Sequence, residues 1–449
     1  MYQKIKMRKF LRHAVCWLLC LLTLGSSCYA EAPAESELYA QAAVLMDAES
    51  GRVLYAKNGE LVLPMASTTK IMTCIITLEN ADLSETVDIS SYASSMPKVK
   101  LYVSQGETYV LRDLLYSLML ESHNDAAVAI AEHVGQKLLT AELQQKSVSE
   151  FTAEESRQAV AAFAGLMNEK AKELGCENTW FITPNGLDAT ETFHLENGES
   201  YERQHSTTAT DLASIMSYCI TDSPQRDSFL EITRTQSHSF SIANGRSFTA
   251  SNHNAFLGMM DGALSGKTGF TNKAGYCYVG ALQQDGRTYV VALLACGWPN
   301  NKSYKWSDTR KLMEYGLETY TYRSFEEAAY AEENLQPIPV LEGQTEVIGL
   351  SANVPVKILE REQTGSGMDM ADGQTIPGLL MRQDEEIEVT CQEKTFLEAP
   401  VTAGQVVGVI EYRVDGKLYK QEHIVVAEDV PRIDFEWCLR MVWKQFQQL

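Results

Sequence analysis

The sequence predicts an α/β protein: an antiparallel sheet sandwiched by helices, with an all-helical lobe, followed by a small all-β domain and a C-terminal amphipathic helix. Three observations predict it. Strand-type runs open the mature chain and return only after a long helical stretch. Beyond about residue 333 the composition turns β-rich without helical periodicity, and the last residues regain a helical apolar spacing. The 449 residues suffice for two or three compact units at about 150 residues each.

At the start, Lys4, Lys6, Arg8, Lys9 and Arg12 precede an apolar run from Ala14 to Leu24, and small residues lead on to Ala30. This is the layout of an export signal, and the run is short for a bilayer span. Residues 1–30 are read as a signal peptide, so the chain is expected outside the cytoplasm. Cleavage after Ala30 and lipidation at Cys28 are the two processing routes open to it.

Gln41 to Tyr55 reads as a β-hairpin, with Ala42 to Asp47 and Arg52 to Tyr55 flanking a Glu-Ser-Gly turn. From Ser67 to about Asn80, Leu111 to Val134 and Glu154 to Leu174, the apolar spacing is helical. Strand character returns after Phe240. Ala274 to Leu282 and Thr288 to Cys296 form two apolar strands that should pair antiparallel. Ser303 to Thr319 is an amphipathic helix able to cover the sheet, with Trp306, Leu312, Met313 and Leu317 inward. These elements place one domain at 36–322.

Pro337 and Pro339 mark a boundary, and a small β-rich domain is expected at 335–428; its clearest element is the hairpin Ile410 to Tyr419 around Asp415-Gly416. It carries no constellation of chemical groups and reads as a spacer or interaction module. Over 431–449, stepping about 100° per residue gathers Phe435, Cys438, Leu439, Val442, Trp443, Phe446 and Leu449 on one side. Asp434, Glu436, Arg440, Lys444 and Gln447 fall opposite. Such a helix either lies in a membrane interface, aromatic face down, or docks that face on its own domain.

Hydrophobic residues make up 45% and charged residues 22%, an ordinary globular composition. A formal net charge of -21 and the lack of a basic stripe exclude nucleic acid as a natural partner. Of the ten cysteines, Cys16, Cys20 and Cys28 belong to the signal. The rest show no metal-ligand spacing, and no metal or organic cofactor is indicated. Cys277 and Cys296 sit on strands expected to be neighbours, so a disulfide there and buried free thiols are both open.

Three short motifs occur in order: Ser67-Thr68-Thr69-Lys70, Ser122-His123-Asn124 and Lys267-Thr268-Gly269. Each alone is weak. Together they fall at a helix start, in a loop of the helical lobe and on a strand of the sheet. With Pro64-Met65-Ala66 before the first motif, Thr183-Pro184-Asn185-Gly186-Leu187, His205-Ser206-Thr207-Thr208-Ala209, and Phe270-Thr271 with Ala274-Gly275-Tyr276 after the last, the chain resembles the D-alanyl-D-alanine carboxypeptidases. These are low-molecular-weight penicillin-binding serine peptidases with a β-lactamase/transpeptidase-like fold. The likeness is detailed from about 36 to 320 and one of layout beyond. It implies action on peptidoglycan stem peptides ending in D-Ala-D-Ala, covalent binding of β-lactams, and attachment to the outer face of the cytoplasmic membrane through the C-terminal helix.

The residues fit that chemistry. At a helix start, Ser67 meets backbone N–H groups that favour a developing negative charge. Lys70, one turn on, is the base if burial and a second cation, Lys267, lower its pKa. Ser122 passes a proton to the leaving amine, and Asn124 orients Lys70 and the substrate amide. Lys267 and Thr268 hold the substrate's terminal carboxylate, and Gly269 leaves room for the substrate to lie as an added strand. The N–H groups of Phe270 and Ser67 form the oxyanion hole. His123 departs from the Gly, Ala or Asp usual in the motif and is expected to face solvent. Asn185, His205, Asp211 and Arg246 read as structural or as supports standing behind the catalytic side chains, and His194 and His253 as loop histidines.

The rivals are a class A β-lactamase, an endopeptidase or transpeptidase, and a non-catalytic wall-binding scaffold. The first needs a Glu with an Asn four residues later, a spacing that Glu191 to Leu195 does not supply.

Overall fold

The computed structural model describes residues 31–195, 199–359 and 377–447. The signal peptide expected at 1–30 lies outside the described residues, as does Leu449.

The central sheet has five strands: β1 (Ala42–Asp47), β2 (Val53–Lys57), β3 (Ala263–Thr271), β4 (Gly275–Gln284) and β5 (Arg287–Leu294), in the order β2-β1-β5-β4-β3. All neighbours are antiparallel. β1 is buried along its whole length because it lies between two layers. Ala42, Val44 and Met46 point into one core and Ala43 and Leu45 into the other, the period-two alternation of a pleated strand.

The first core is built with the helical lobe. It contains α1 (Lys70–Asn80), α2 (Asn124–Gln136), α3 (Ala153–Glu173), α4 (Ala209–Ile220) and α5 (Arg226–Arg234). α1 is buried along nearly its whole length, which places its first turn deep between lobe and sheet. The opposite face of the sheet is covered by α6 (Tyr304–Thr319), through Leu312 and Met313. β3 is the last strand of the sheet, so its outer edge faces the cleft beside the lobe.

Alternation also decides the cysteine question. Cys277, in β4, packs into the core beneath the helical lobe, whereas Cys296, just past β5, packs with α6 across the sheet. Side chains on opposite faces cannot bridge, and both thiols are free and buried.

Among the described residues the C-terminal β unit contains a four-stranded and a three-stranded sheet around their own core. It is tied back to the first unit: Tyr320–Ser324 pairs with Gly378–Arg382, and Leu380 enters the core under α6. Beside that seam the buried Arg52 forms a two-pronged ion pair with Glu385, at 2.9 and 2.7 Å.

The final helix, α7 (Phe435–Phe446), is capped by Asp434. Its Trp437 donates from Nε1 to the carbonyl of Thr345 at 3.2 Å, and Trp437, Arg440, Met441 and Lys444 line a groove against the β unit. The stripe of Phe435, Leu439, Val442, Trp443 and Phe446 is left exposed. Among the described residues no helix is long and apolar enough to cross a membrane.

Candidate active site

Ser67 lies in a tight turn, Ala66–Thr69, that runs directly into α1. The residue before it, Ala66, has φ 49°, in the left-handed region that non-glycine residues seldom enter. That kink is fixed from two sides. A Cβ on Gly186 (φ 83°) would stand 1.9 Å from the Ala66 carbonyl oxygen, and one on Gly269 would stand 2.9 Å from the Ser67 nitrogen. Glycine therefore lets both the 183–187 loop and the edge strand β3 close on the serine.

Lys70 is fully buried, and its Nζ lies 2.9 Å from Ser67 Oγ, 3.0 Å from Asn124 Oδ1 and 2.5 Å from the Asn185 carbonyl oxygen. Its pKa is pushed well below that of an ordinary lysine, first by burial and then by the charge of Lys267, with Asp125 opposing. A neutral amine has two N–H groups. The two carbonyl-type acceptors take both, which turns the nitrogen lone pair towards the Ser67 hydroxyl.

Asn124 opens α2, and its amide also donates to the carbonyls of Pro97 and Lys98, at 3.3 and 3.2 Å. Ser122 sits two residues earlier with φ 65°. Lys267, on β3 and 3% exposed, donates from Nζ to Ser122 Oγ at 3.0 Å and to the Thr268 carbonyl at 3.0 Å. Burial lowers its pKa to about 7. A cavity of about 630 Å³ opens over Ser67, Ser122, Thr268, Gly269 and Phe270. The Phe270 ring is exposed and packs at 4.7 Å on Tyr276, forming part of the wall.

The eight residues to which the sequence assigned catalytic or substrate-binding roles thus converge on one cleft. Others there were not foreseen. Lys302 and Lys305 line the same cavity. Lys305 is buried between the rings of Tyr276 and Trp306, at 4.9 and 4.7 Å, and burial lowers its pKa to about 8. Asn185 places its backbone carbonyl, not its side chain, on Lys70. His253, read as a loop histidine, lines the cavity with Nε2 3.3 Å from Glu121.

His123 does not face solvent as expected: it is half-buried, with Nδ1 2.7 Å from Ser117 Oγ. The 117–121 segment widens into a π-type turn, and that swings the residue after Ser122 inward. His205 is buried, and its Nδ1 accepts from the Ile182 N–H, so Nε2–H donates to Thr69 Oγ1 at 2.8 Å. Burial and Lys70 hold it neutral, with a pKa near 3. It braces the 183–187 loop against the turn that carries Ser67. Asp211 accepts from Thr179 Oγ1 and the Asn178 N–H, and Arg246 pairs with Glu107. His194 lies exposed on a strand, Thr190–His194. Among the described residues no cluster suited to hold a metal ion occurs.

A family profile described as D-alanyl-D-alanine carboxypeptidase matches residues 29–138 and 152–295, and one described as the penicillin-binding protein 5 C-terminal domain matches 381–432. The chain is 25% identical over 439 residues to D-alanyl-D-alanine carboxypeptidase DacF of Bacillus subtilis, spanning 95% of this chain and 97% of that protein. The solved structure of a D-alanyl-D-alanine carboxypeptidase from Mycobacterium tuberculosis superposes with a TM-score of 0.51 at 28% identity, over 65% of this chain and 94% of its own. Penicillin-binding protein 5 of Haemophilus influenzae shares the fold over 90% of this chain and 100% of its own, with a TM-score of 0.60 at 21% identity. With the first profile matching more than half of its length, across the segments that carry Ser67, Lys70, Ser122, Asn124 and Lys267, the chain belongs to the D-alanyl-D-alanine carboxypeptidase family of serine peptidases.

Proposed function

We propose that this protein removes the terminal D-alanine from peptidoglycan stem pentapeptides through an acyl-enzyme on Ser67, limiting cross-linking, and that β-lactams acylate the same oxygen. The observation that carries the reading is Lys70 Nζ at 2.9 Å from Ser67 Oγ, in a buried setting that favours the neutral amine. Lys70 takes the hydroxyl proton as Ser67 attacks the carbonyl of the penultimate residue. The oxyanion is met by the N–H groups of Ser67 and Phe270, since β3 lies against the serine nitrogen at Gly269. Ser122 returns a proton to the leaving amine, and Asn124 holds Lys70 and the substrate amide.

The substrate lies along the free edge of β3 as an added strand. Its terminal carboxylate is held by Lys267 and Thr268, with Lys302 and Lys305 adding positive charge to the same wall. Water then releases the shortened peptide from Ser67.

Residues 1–30 act as the export signal, the unit 36–322 carries the chemistry, and the β unit at 335–428 serves as a spacer or interaction module. The 431–449 helix rests in the membrane interface at the outer face of the cytoplasmic membrane. The exposed aromatic stripe of α7, turned away from the groove it shares with the β unit, supports this attachment. Mass spectrometry of purified muropeptides after incubation with the protein tests the activity. Loss of a single alanine from pentapeptides is expected; cleavage of cross-linked dimers alone would replace the reading with that of an endopeptidase, and unchanged muropeptides would refute it.

A further inference from the structure

Ser122 is held in a left-handed conformation, φ 65° and ψ 32°, that a serine does not adopt without support from its surroundings. On its C-terminal side the support is plain. Asn124 donates its backbone N–H to the Val99 carbonyl at 2.8 Å, and Asp125 accepts from the N–H groups of Leu101, Tyr102 and Val103. On its N-terminal side Glu121 fixes the outer flank by accepting from the Ser251 N–H at 2.8 Å. The inner flank is held by His123.

The three consecutive side chains divide their directions. Ser122 Oγ faces Lys267, Asn124 Oδ1 faces Lys70, and the imidazole between them turns into the lobe to meet Ser117 Oγ at 2.7 Å. Ser117 is fully buried at the start of the wide 117–121 turn. A bond from residue 123 to residue 117 therefore closes a ring around that turn and fixes the backbone on which Ser122 is mounted. A small residue at 123 cannot make this tie.

We propose that His123 is a positioning residue for the reaction, which holds the Ser122 hydroxyl in place through its hydrogen bond to Ser117. This assignment rests on the reading of Ser122 as proton donor to the leaving amine. His123 does not touch the substrate. Its burial, opposed by the carboxylates of Asp125 and Glu121, lowers its pKa and keeps it a neutral ring with one donor and one acceptor nitrogen. That ring meets a hydroxyl, which can donate or accept, so the tie forms in either tautomer.

The test compares the full chain with His123→Ala, His123→Asn, His123→Gln, Ser117→Ala and the His123→Ala/Ser117→Ala double variant. Acylation by a fluorescent penicillin is followed, together with kcat and KM on an acyl-D-Ala-D-Ala peptide and the melting temperature. His123→Ala and Ser117→Ala should each lower kcat on the order of 10- to 100-fold, with KM and melting temperature nearly unchanged. The double variant should be no worse than either single one. His123→Asn, whose amide occupies the place of Nδ1, should restore most of kcat, and His123→Gln should not. Wild-type kcat in His123→Ala, or a loss that tracks the melting temperature and is not rescued by His123→Asn, would overturn the assignment. Failure of the wild type itself to be acylated would instead overturn the site reading, and this assignment with it.

Discussion

Lys267 Nζ donates to Ser122 Oγ at 3.0 Å, while Lys70 Nζ lies 2.9 Å from Ser67 Oγ, so each of the two serine hydroxyls of the cleft is paired with its own buried lysine. Both amines are depressed, Lys267 by burial to about 7 and Lys70 by burial together with the charge of Lys267. A proton on one disfavours a proton on the other. The cleft thus favours one neutral amine, beside the nucleophile, and one cation, beside the place of the substrate carboxylate.

A bell-shaped pH dependence of kcat/KM follows for a free-acid peptide. Activity rises as Lys70 loses its proton and falls as Lys267 loses its own above about pH 7 in the free enzyme. Lys267→Arg, which stays charged, should push the alkaline limb upward by more than about one pH unit. An amidated peptide, lacking the carboxylate, should show a weaker alkaline limb and a poorer KM. Profiles without an alkaline limb for the free-acid peptide would contradict the role of Lys267.

Gly186→Ala should damage the nucleophile without touching a catalytic side chain. The new Cβ would meet the Ala66 carbonyl at 1.9 Å, at a backbone φ of 83°. The strain of the left-handed backbone alone costs about 1–3 kcal/mol, and the clash adds to it. Thermal unfolding should report the loss of stability, and penicillin acylation should fall even in the folded fraction.

The motifs, the first hairpin, the β4–β5 pair and the helical spacing were legible because each is written in neighbouring residues. The contacts that tune Lys70 were not. The Asn185 carbonyl is 115 positions away and reaches Lys70 only because Gly186 lets the loop approach. Lys305 looks like a surface residue of an amphipathic helix until the fold lays the start of α6 beside Tyr276. His123 was misread because a π-type turn has no signature in spacing, and the cysteine question needed the strand register. The seam of Tyr320–Ser324 with Gly378–Arg382 was equally hidden, since it joins segments on either side of an apparent domain boundary.

Glu132 gives a stability test independent of activity. It is fully buried on α2, accepts from Ser90 Oγ at 2.8 and 2.9 Å, and burial raises its pKa to about 7. The unfolded chain ionises this carboxyl at the ordinary value of about 4.5, so the stability that its protonated form confers is present below that pH and is lost as pH rises through about 7. Relative to the wild type, Glu132→Gln should therefore gain stability between about pH 4.5 and 7, by up to about 3 kcal/mol. Denaturant titrations across that range check it; a pH-independent difference between the two proteins would contradict it.

Removing residues 431–449 should release the protein from membranes and leave kcat/KM on a soluble acyl-D-Ala-D-Ala peptide within about twofold, since α7 touches the β unit and not the cleft. Fractionation of cells expressing each form would show it. Membrane retention of the shortened form would contradict the anchor.

The most direct measurement is the fate of Ser67 when the protein meets a β-lactam. Incubation with a fluorescent penicillin, followed by peptide mapping in a mass spectrometer, should place one acyl group on the peptide that contains Ser67. Ser67→Ala should abolish the label, and Lys70→Ala should slow its appearance by about 10²–10⁴-fold. A folded wild type that stays unlabelled, or a label that persists in Ser67→Ala, would contradict the assignment of Ser67 as the nucleophile.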